Sequence, residues 1–231
     1  MTEIGSRVFF TTVKTVALGA AAAVALTACG GPVRLGAAAV VDDHRITTAD
    51  LDRTVADWQK QFAKDPAAAQ VQQQAQQQGQ QLPADPDSPP RSALAQLIGF
   101  QIWDEVAREQ KVAVTPTEID RIVAANGGQK AIQDQTLAGG LPVSHSRDLV
   151  RAFLIRSMLL QRFGAVPNAQ GQVDQLALQQ AQTKLVGAQT QALRSMKIKV
   201  NPRYGSFDPS SGLGPVSYGL SRSDPGLNGA G

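Results

Sequence analysis

Apolar positions along this chain fall into helical and strand-like registers separated by turn residues. Residues 37–41 form a short apolar run, Asp42-Asp43-His44-Arg45 are polar, and Ile46 follows. Turn residues between short apolar stretches predict a small β-hairpin. Thr47 or Thr48 can cap the helix that comes next, because a hydroxyl accepts an orphan backbone N–H. Leu51, Val55, Trp58 and Phe62 then recur at helical spacing and define one apolar face. A second helix is predicted over 92–110, with Leu94, Leu97, Ile98, Ile102 and Val106 on its buried side.

The same reading continues toward the C-terminus. Thr115-Pro116-Thr117-Glu118 is a capping box with proline at the first helical position. It opens a short helix carrying Ile119, Ile122 and Val123, stopped by Asn126-Gly127-Gly128. Another short helix spans 130–138, stopped by Gly139-Gly140. A longer one spans 145–163, with Leu149, Val150, Phe153, Leu154 and Leu160 facing the core and Arg147, Arg151, Arg156 and Arg162 facing water. A last helix is predicted over 169–196, anchored by Val173, Leu176, Leu185 and Ala192 among many glutamines. Residues 197–201 alternate as a strand does, and Pro202 ends them. Ile198 and Val200 are expected to pair with Ala39 and Val41, tying the two ends of the domain together.

Composition changes this picture in two places. Residues 70–81 are glutamine apart from Val71, Ala75 and Gly79, and prolines crowd 82–90. The stretch 66–91 reads as an exposed insertion, a low-complexity loop with a frayed helical first half, the alternative being a partner-binding arm. From Ser206 to the last residue, Gly, Ser and Pro dominate. That tail lacks the apolar content to offset its ordering entropy and is expected to be disordered.

The N-terminus has its own pattern. Arg7 and Lys14 precede a run, 16–26, that is wholly apolar or small. Such a run is too short to cross a bilayer, which takes about 20 apolar residues, and it reads as a secretory signal segment. It ends in Leu26-Thr27-Ala28-Cys29, which holds the only cysteine of the chain. The box resembles the bacterial lipobox. A core cysteine behind an ordinary signal peptide is the alternative. The resemblance implies that signal peptidase II, recognising Leu26, Thr27 and Ala28, cuts before Cys29, whose thiol carries a diacylglyceryl group. Removing 1–28 takes away Arg7, Lys14 and Glu3 and leaves the rest nearly neutral. Attachment to the membrane then rests on lipid, where two acyl chains hold and one does not.

Charge and chemistry narrow the function. A formal charge of +3 spread over 231 residues does not point to nucleic acid. One cysteine makes no internal disulfide. His44 and His145 stand far apart without metal-ligand spacing, and there is no nucleophile elbow or phosphate-cradling glycine loop. Asp42 and Asp43 could be a catalytic pair, but adjacent carboxylates in a hairpin turn are usually solvated. Trp58 and Trp103 read as helix-face packing. No catalytic, metal-binding or cofactor-binding residue is assigned, and no small-molecule substrate is expected.

The order of elements supplies a resemblance. The segments AAAVVDDHRITTADLDRTV (37–55), ALAQLIGFQIWDEVAREQKV (93–112), TPTEIDRIV (115–123) and RDLVRAFLIRSMLLQRFG (147–164) resemble the N-terminal chaperone domain of SurA and related PrsA-type foldases. Residues 36–163 carry most of the likeness, and 169–204 look like that domain's returning helix and strand. The resemblance implies a mainly helical fold with a small β element joining the N- and C-terminal strands. The parvulin-type isomerase domain that many such proteins carry has no room in residues 164–168. The domain plan is therefore a lipoprotein signal peptide (1–28), a lipidated tether (29–36), a SurA N-terminal-like domain (37–205) with its insertion at 66–91, and a tail (206–231). The function expected is an extracytoplasmic, membrane-anchored chaperone that holds unfolded exported polypeptides without isomerase activity. The alternative is a structural or adaptor lipoprotein that binds one folded partner at the cell envelope; a third is an enzyme.

Overall fold

Three short strands bring the two ends of the helical body together. In the computed structural model, which describes residues 35–80, 82–85 and 87–216, β1 (Ala37–Val41) and β2 (His44–Thr47) form a hairpin. The other side of β1 pairs antiparallel with β3 (Ile198–Val200), giving the order β2-β1-β3. Ala39 lies opposite Val200 and Val41 opposite Ile198, the pairing that the alternation predicts. Ala37, Ala38 and Ala39 are wholly buried, so the central strand is covered on both faces. Asp42 turns the hairpin at φ +50°. Its backbone N–H donates to the Lys197 carbonyl (2.9 Å), and its carboxylate accepts from the Lys197 N–H (2.7 Å).

Local signals set the helix starts. α1 (Thr48–Phe62) is capped by Thr47, whose Oγ1 accepts from the Asp50 N–H at 3.0 Å. α3 (Pro89–Glu109) begins on the two prolines that end the proline-rich stretch, because a first-turn residue needs no N–H partner. α4 (Pro116–Ala125) has its capping box formed in both directions between Thr115 and Glu118. α5 (Gly128–Ala138) follows directly, and a single 3₁₀ turn (Val143–His145) leads into α6 (Ser146–Arg162). α7 (Gln175–Ser195) starts six residues later than the apolar pattern suggests, at the Asp174 cap, which accepts from the Ala177 N–H.

α3 is the axis of the body. Its first half, Leu94 and Ile98, packs with the sheet, Leu51 and Leu141; its second half, Val106 and Ala107, packs with Ile155 and Leu159 of α6 and Leu185, Ala188 and Ala192 of α7. A third cluster joins Ile119 and Val123 of α4, Ile132 of α5, and Val150 and Leu154 of α6. α6 thus has two partners. Its buried positions run from Ser146 and Val150 round to Leu159, and Phe153, at the edge of that arc and about two turns beyond Ser146, is 56% exposed. This corrects the expectation that Phe153 is a core residue. Leu176 of α7 is likewise exposed, and Ala181, Leu185, Ala188 and Ala192 form the buried stripe instead.

Two further expectations change. The glutamine-rich stretch is an intact helix, α2 (Pro66–Gln77), not a frayed loop. Asp65 caps it by accepting from the N–H groups of Ala67 and Ala68, and Pro66 fits its first position. Ala68 and Ala75 are buried on the side that meets α5. The segment after β3 is also ordered for its first part. β4 (Phe207–Asp208) and β5 (Gly212–Leu213) make a second small hairpin. Phe207 and Leu213 pack on the sheet-side core, and Tyr204 is nearly enclosed there. Two apolar anchors and one carboxylate turn offset the ordering entropy that composition alone left unmatched. Residues 217–231 lie outside the described residues. No helix among the described residues is long and apolar enough to cross a membrane.

Candidate functional site

α2 stands on α5 and leaves a concavity on each flank. One, of about 440 Å³, has Val71 and Ala75 of α2 on one wall, Gln135 of α5 with Leu141 and Leu149 on the other, and Leu82 and Pro83 at one side. The second, of about 860 Å³, lies between Trp58 and Phe62 of α1, Gln72 and Gln76 of α2, and residues 82–85. Leu82 and Pro83 border both. A third cavity of about 190 Å³ shares Gln135 and Leu149 with the first and continues to Ile122, Val150 and the exposed Phe153.

The walls are fixed by hydrogen bonds from buried or half-buried groups. Ser92 Oγ donates to the Pro83 carbonyl at 2.6 Å. Gln96 Nε2 donates to the Gly139 carbonyl at 2.9 Å. Gly140 sits at φ +92°, and a Cβ there would lie 3.2 Å from that of Ala84, so glycine lets the 82–85 segment approach. Arg91 pairs with Asp85 and holds its carboxyl below the ordinary carboxylate range. Trp58 Nε1 donates to the Leu137 carbonyl at 2.8 Å, and its ring meets Phe62 with centroids 5.8 Å apart. Gln61 Oε1 accepts from the Val143 N–H at 2.9 Å. Lys130 of α5 bridges Asp65, at 2.8 Å, and Asp134; its hydrogen bond lowers the Asp65 pKa, and both carboxylates raise its own.

Glutamine gives the site its character. Gln74 and Gln78, one turn apart, line the 440 Å³ groove; Gln72 and Gln76, also one turn apart, line the 860 Å³ groove. Between these two rows lie the buried Ala68 and Ala75. Among the described residues, no ionisable side chain lines the 440 Å³ groove or its 190 Å³ continuation. In the larger groove the one ionisable lining residue among those described is Asp85, already paired with Arg91. Such walls can hold a neutral chain through amides and aliphatic contacts.

Neither family models, curated proteins nor solved structures give a match to this chain. Its functional reading therefore rests on the groove chemistry and the sequence.

The residues singled out from sequence are placed as follows. Leu26, Thr27, Ala28 and Cys29 lie outside the described residues. Asp43 and His44 are exposed at the hairpin. His145 Nδ1 lies 2.9 Å from Asp148 Oδ2, and its ring packs 6.3 Å from Phe100, away from the grooves. Trp103 borders a separate pocket of about 160 Å³ that also holds the Arg151–Asp104 pair at 2.7 Å. Among the described residues, no group of three or more His, Cys, Asp or Glu side chains could hold a metal ion. The groove residues were not identifiable in advance, since leucine and valine look alike in a core and in a cleft. The i, i+4 spacing of the glutamines about Ala68 and Ala75 was the one signal that could have revealed them.

Proposed function

We propose that this chain is a lipid-anchored, extracytoplasmic chaperone that holds extended segments of unfolded exported polypeptides, working as a SurA-like chaperone module alone. The observation that carries the reading is the open, amide-lined concavity on each flank of α2, without an ionisable lining residue among those described in the 440 Å³ groove and with Asp85 paired to Arg91 in the larger one. An unfolded chain presents neutral peptide groups and alternating apolar side chains, and such a surface accommodates both without a covalent step. Binding is weak, on the order of micromolar, because an extended client is ordered on capture. The anchor reading rests on Leu26-Thr27-Ala28-Cys29 behind a charged, apolar leader.

The function is tested with a form starting at Gly30, mixed at near-stoichiometric ratio with an unfolded exported protein. Light scattering should show slower aggregation without ATP, and a proline-peptide assay should show no acceleration of cis/trans exchange, which is slow without catalysis. Failure to protect several unrelated exported proteins would move the assignment to an adaptor with one folded partner. For the anchor, metabolic labelling with a fatty-acid analogue should mark wild type and not Cys29→Ala; equal labelling would remove the lipid from the account.

A further inference from the structure

The chemistry of the groove indicates which part of a client it reads, a refinement that rests on the chaperone reading. The polar side chains of the 440 Å³ groove are nearly all carboxamides: Gln74, Gln78, Gln80, Gln96 and Gln135. The one exception, Thr136, spends its hydroxyl on the Ile132 carbonyl and on Ser146. Gln96 Nε2 is held by the Gly139 carbonyl, and Gln80 Nε2 donates to Gln78 Oε1 at 3.1 Å, which leaves both ends of the Gln74 amide and the N–H donors of Gln78 for a ligand. Asn126 adds another carboxamide in the 190 Å³ continuation. A carboxamide offers the donor and acceptor set of a peptide group itself. A ligand bearing phosphate or carboxylate finds no counterion here, and burying its charge unpaired is costly.

Spacing agrees with chemistry. Side chains at i and i+4 on a helix stand about 5–6 Å apart. Every second residue of an extended chain recurs at about 6.6–6.8 Å. Gln74 and Gln78 can therefore meet successive outward-facing peptide groups along one edge of an extended strand. The alternate side chains of such a strand would face Val71, Leu82 and Leu149, and the line continues past Gln135 to Phe153.

We propose that the groove between α2, α5 and α6 binds one extended, uncharged, aliphatic-rich polypeptide segment through its main chain, with glutamine carboxamides pairing its peptide groups. Selection is then against charge and for free main-chain N–H groups, with little preference among aliphatic side chains.

The test uses the full chain in lipid nanodiscs and fluorescence anisotropy of a dye-labelled, end-capped peptide alternating leucine and serine. N-methylation of every second peptide nitrogen, which leaves the side chains in place, should weaken binding about tenfold through lost hydrogen bonds. The double variant Gln74→Leu/Gln78→Leu should weaken binding of the parent peptide similarly and erase the penalty of N-methylation. Both positions are exposed, and a circular-dichroism melt checks that the variant folds. A version of the peptide with glutamate replacing serine should bind more weakly than the parent. Equal binding of the N-methylated peptide, or undiminished binding by the double variant, overturns main-chain recognition. If aggregation protection then persists, the chaperone reading stands without it. If the parent peptide does not bind and aggregation is not slowed, both fall.

Discussion

Gly140 illustrates how one residue sets the width of the site. At φ +92° an L side chain costs about 1–2 kcal/mol, and its Cβ would also crowd Ala84. Gly140→Ala is expected to destabilise the fold by that amount, with a lower melting temperature, and to push the 82–85 segment away from α5. Thermal melts and peptide affinity measure the two effects together. Asp208 acts by charge instead. The Ser210 hydroxyl, followed by the N–H groups of Ser210 and Ser211, lowers its pKa to about 2 from an ordinary 3.8. The folded group resists protonation, so its contribution is present above pH of about 4 and is lost as pH falls toward 2. Asp208→Asn keeps an acceptor for the turn and removes the titration. The melting difference between wild type and Asp208→Asn should be full at neutral pH and should shrink across that window; a pH-independent difference would refute the assignment.

At the scale of elements, α2 is the piece whose behaviour matters most for function. Its sequence is poor in large apolar residues, and it docks through Ala68 and Ala75, with Lys130 reaching across to Asp65. Alanine contacts succeed only when two helices approach closely, so a larger or charged side chain removes them. Ala75→Glu should undock α2 because a carboxylate would be buried without a partner, at a cost of about 1–3 kcal/mol. Hydrogen exchange should show the amides of α2 losing protection while those of α3 keep theirs. If α3 loses protection equally, α2 belongs to the cooperative core and is not a separable wall. The packing of α2 also makes deletion of the glutamine stretch a poor probe of function, since it would uncover α5.

For the whole molecule, the prediction concerns closure. β1 is the central strand of the three-stranded sheet, and β3 reaches it only after α7 has returned across α3 and α6. A chain ending at Phe163 loses β3, one of the two partners of β1, and uncovers Val106, Ile155 and Leu159. It should melt without a cooperative transition, as followed by calorimetry. A chain ending at Asn201 keeps β3 but lacks Tyr204, Phe207 and Leu213, which lie against the first core cluster. Its stability should fall by about 3 kcal/mol relative to a chain ending at Val216. Equal melting of those two chains would show that the second hairpin is an ornament on the fold.

The starts of α1 and α4 and the terminal clasp were legible from sequence because their causes are local. Thr47 and the Thr115–Glu118 box with Pro116 satisfy or lack N–H groups within one turn, whatever the rest of the chain does. Ala39, Val41, Ile198 and Val200 alternate because a strand has only two faces, and pairing the chain ends was the arrangement that alternation allowed. Tertiary structure decided the remainder. Phe153 and Leu176 lie at helical spacing from core residues, yet they are exposed, because the buried arc of a helix depends on how many partners it has and where they stand. The glutamine stretch reads as a loop by composition, but small alanines docked on α5 make it a helix and a wall. Phe207 and Leu213 are too sparse to signal order until a core already exists for them to cover. The groove itself follows from the gap that α2 leaves on α5, a distance between elements that no local pattern of residues encodes.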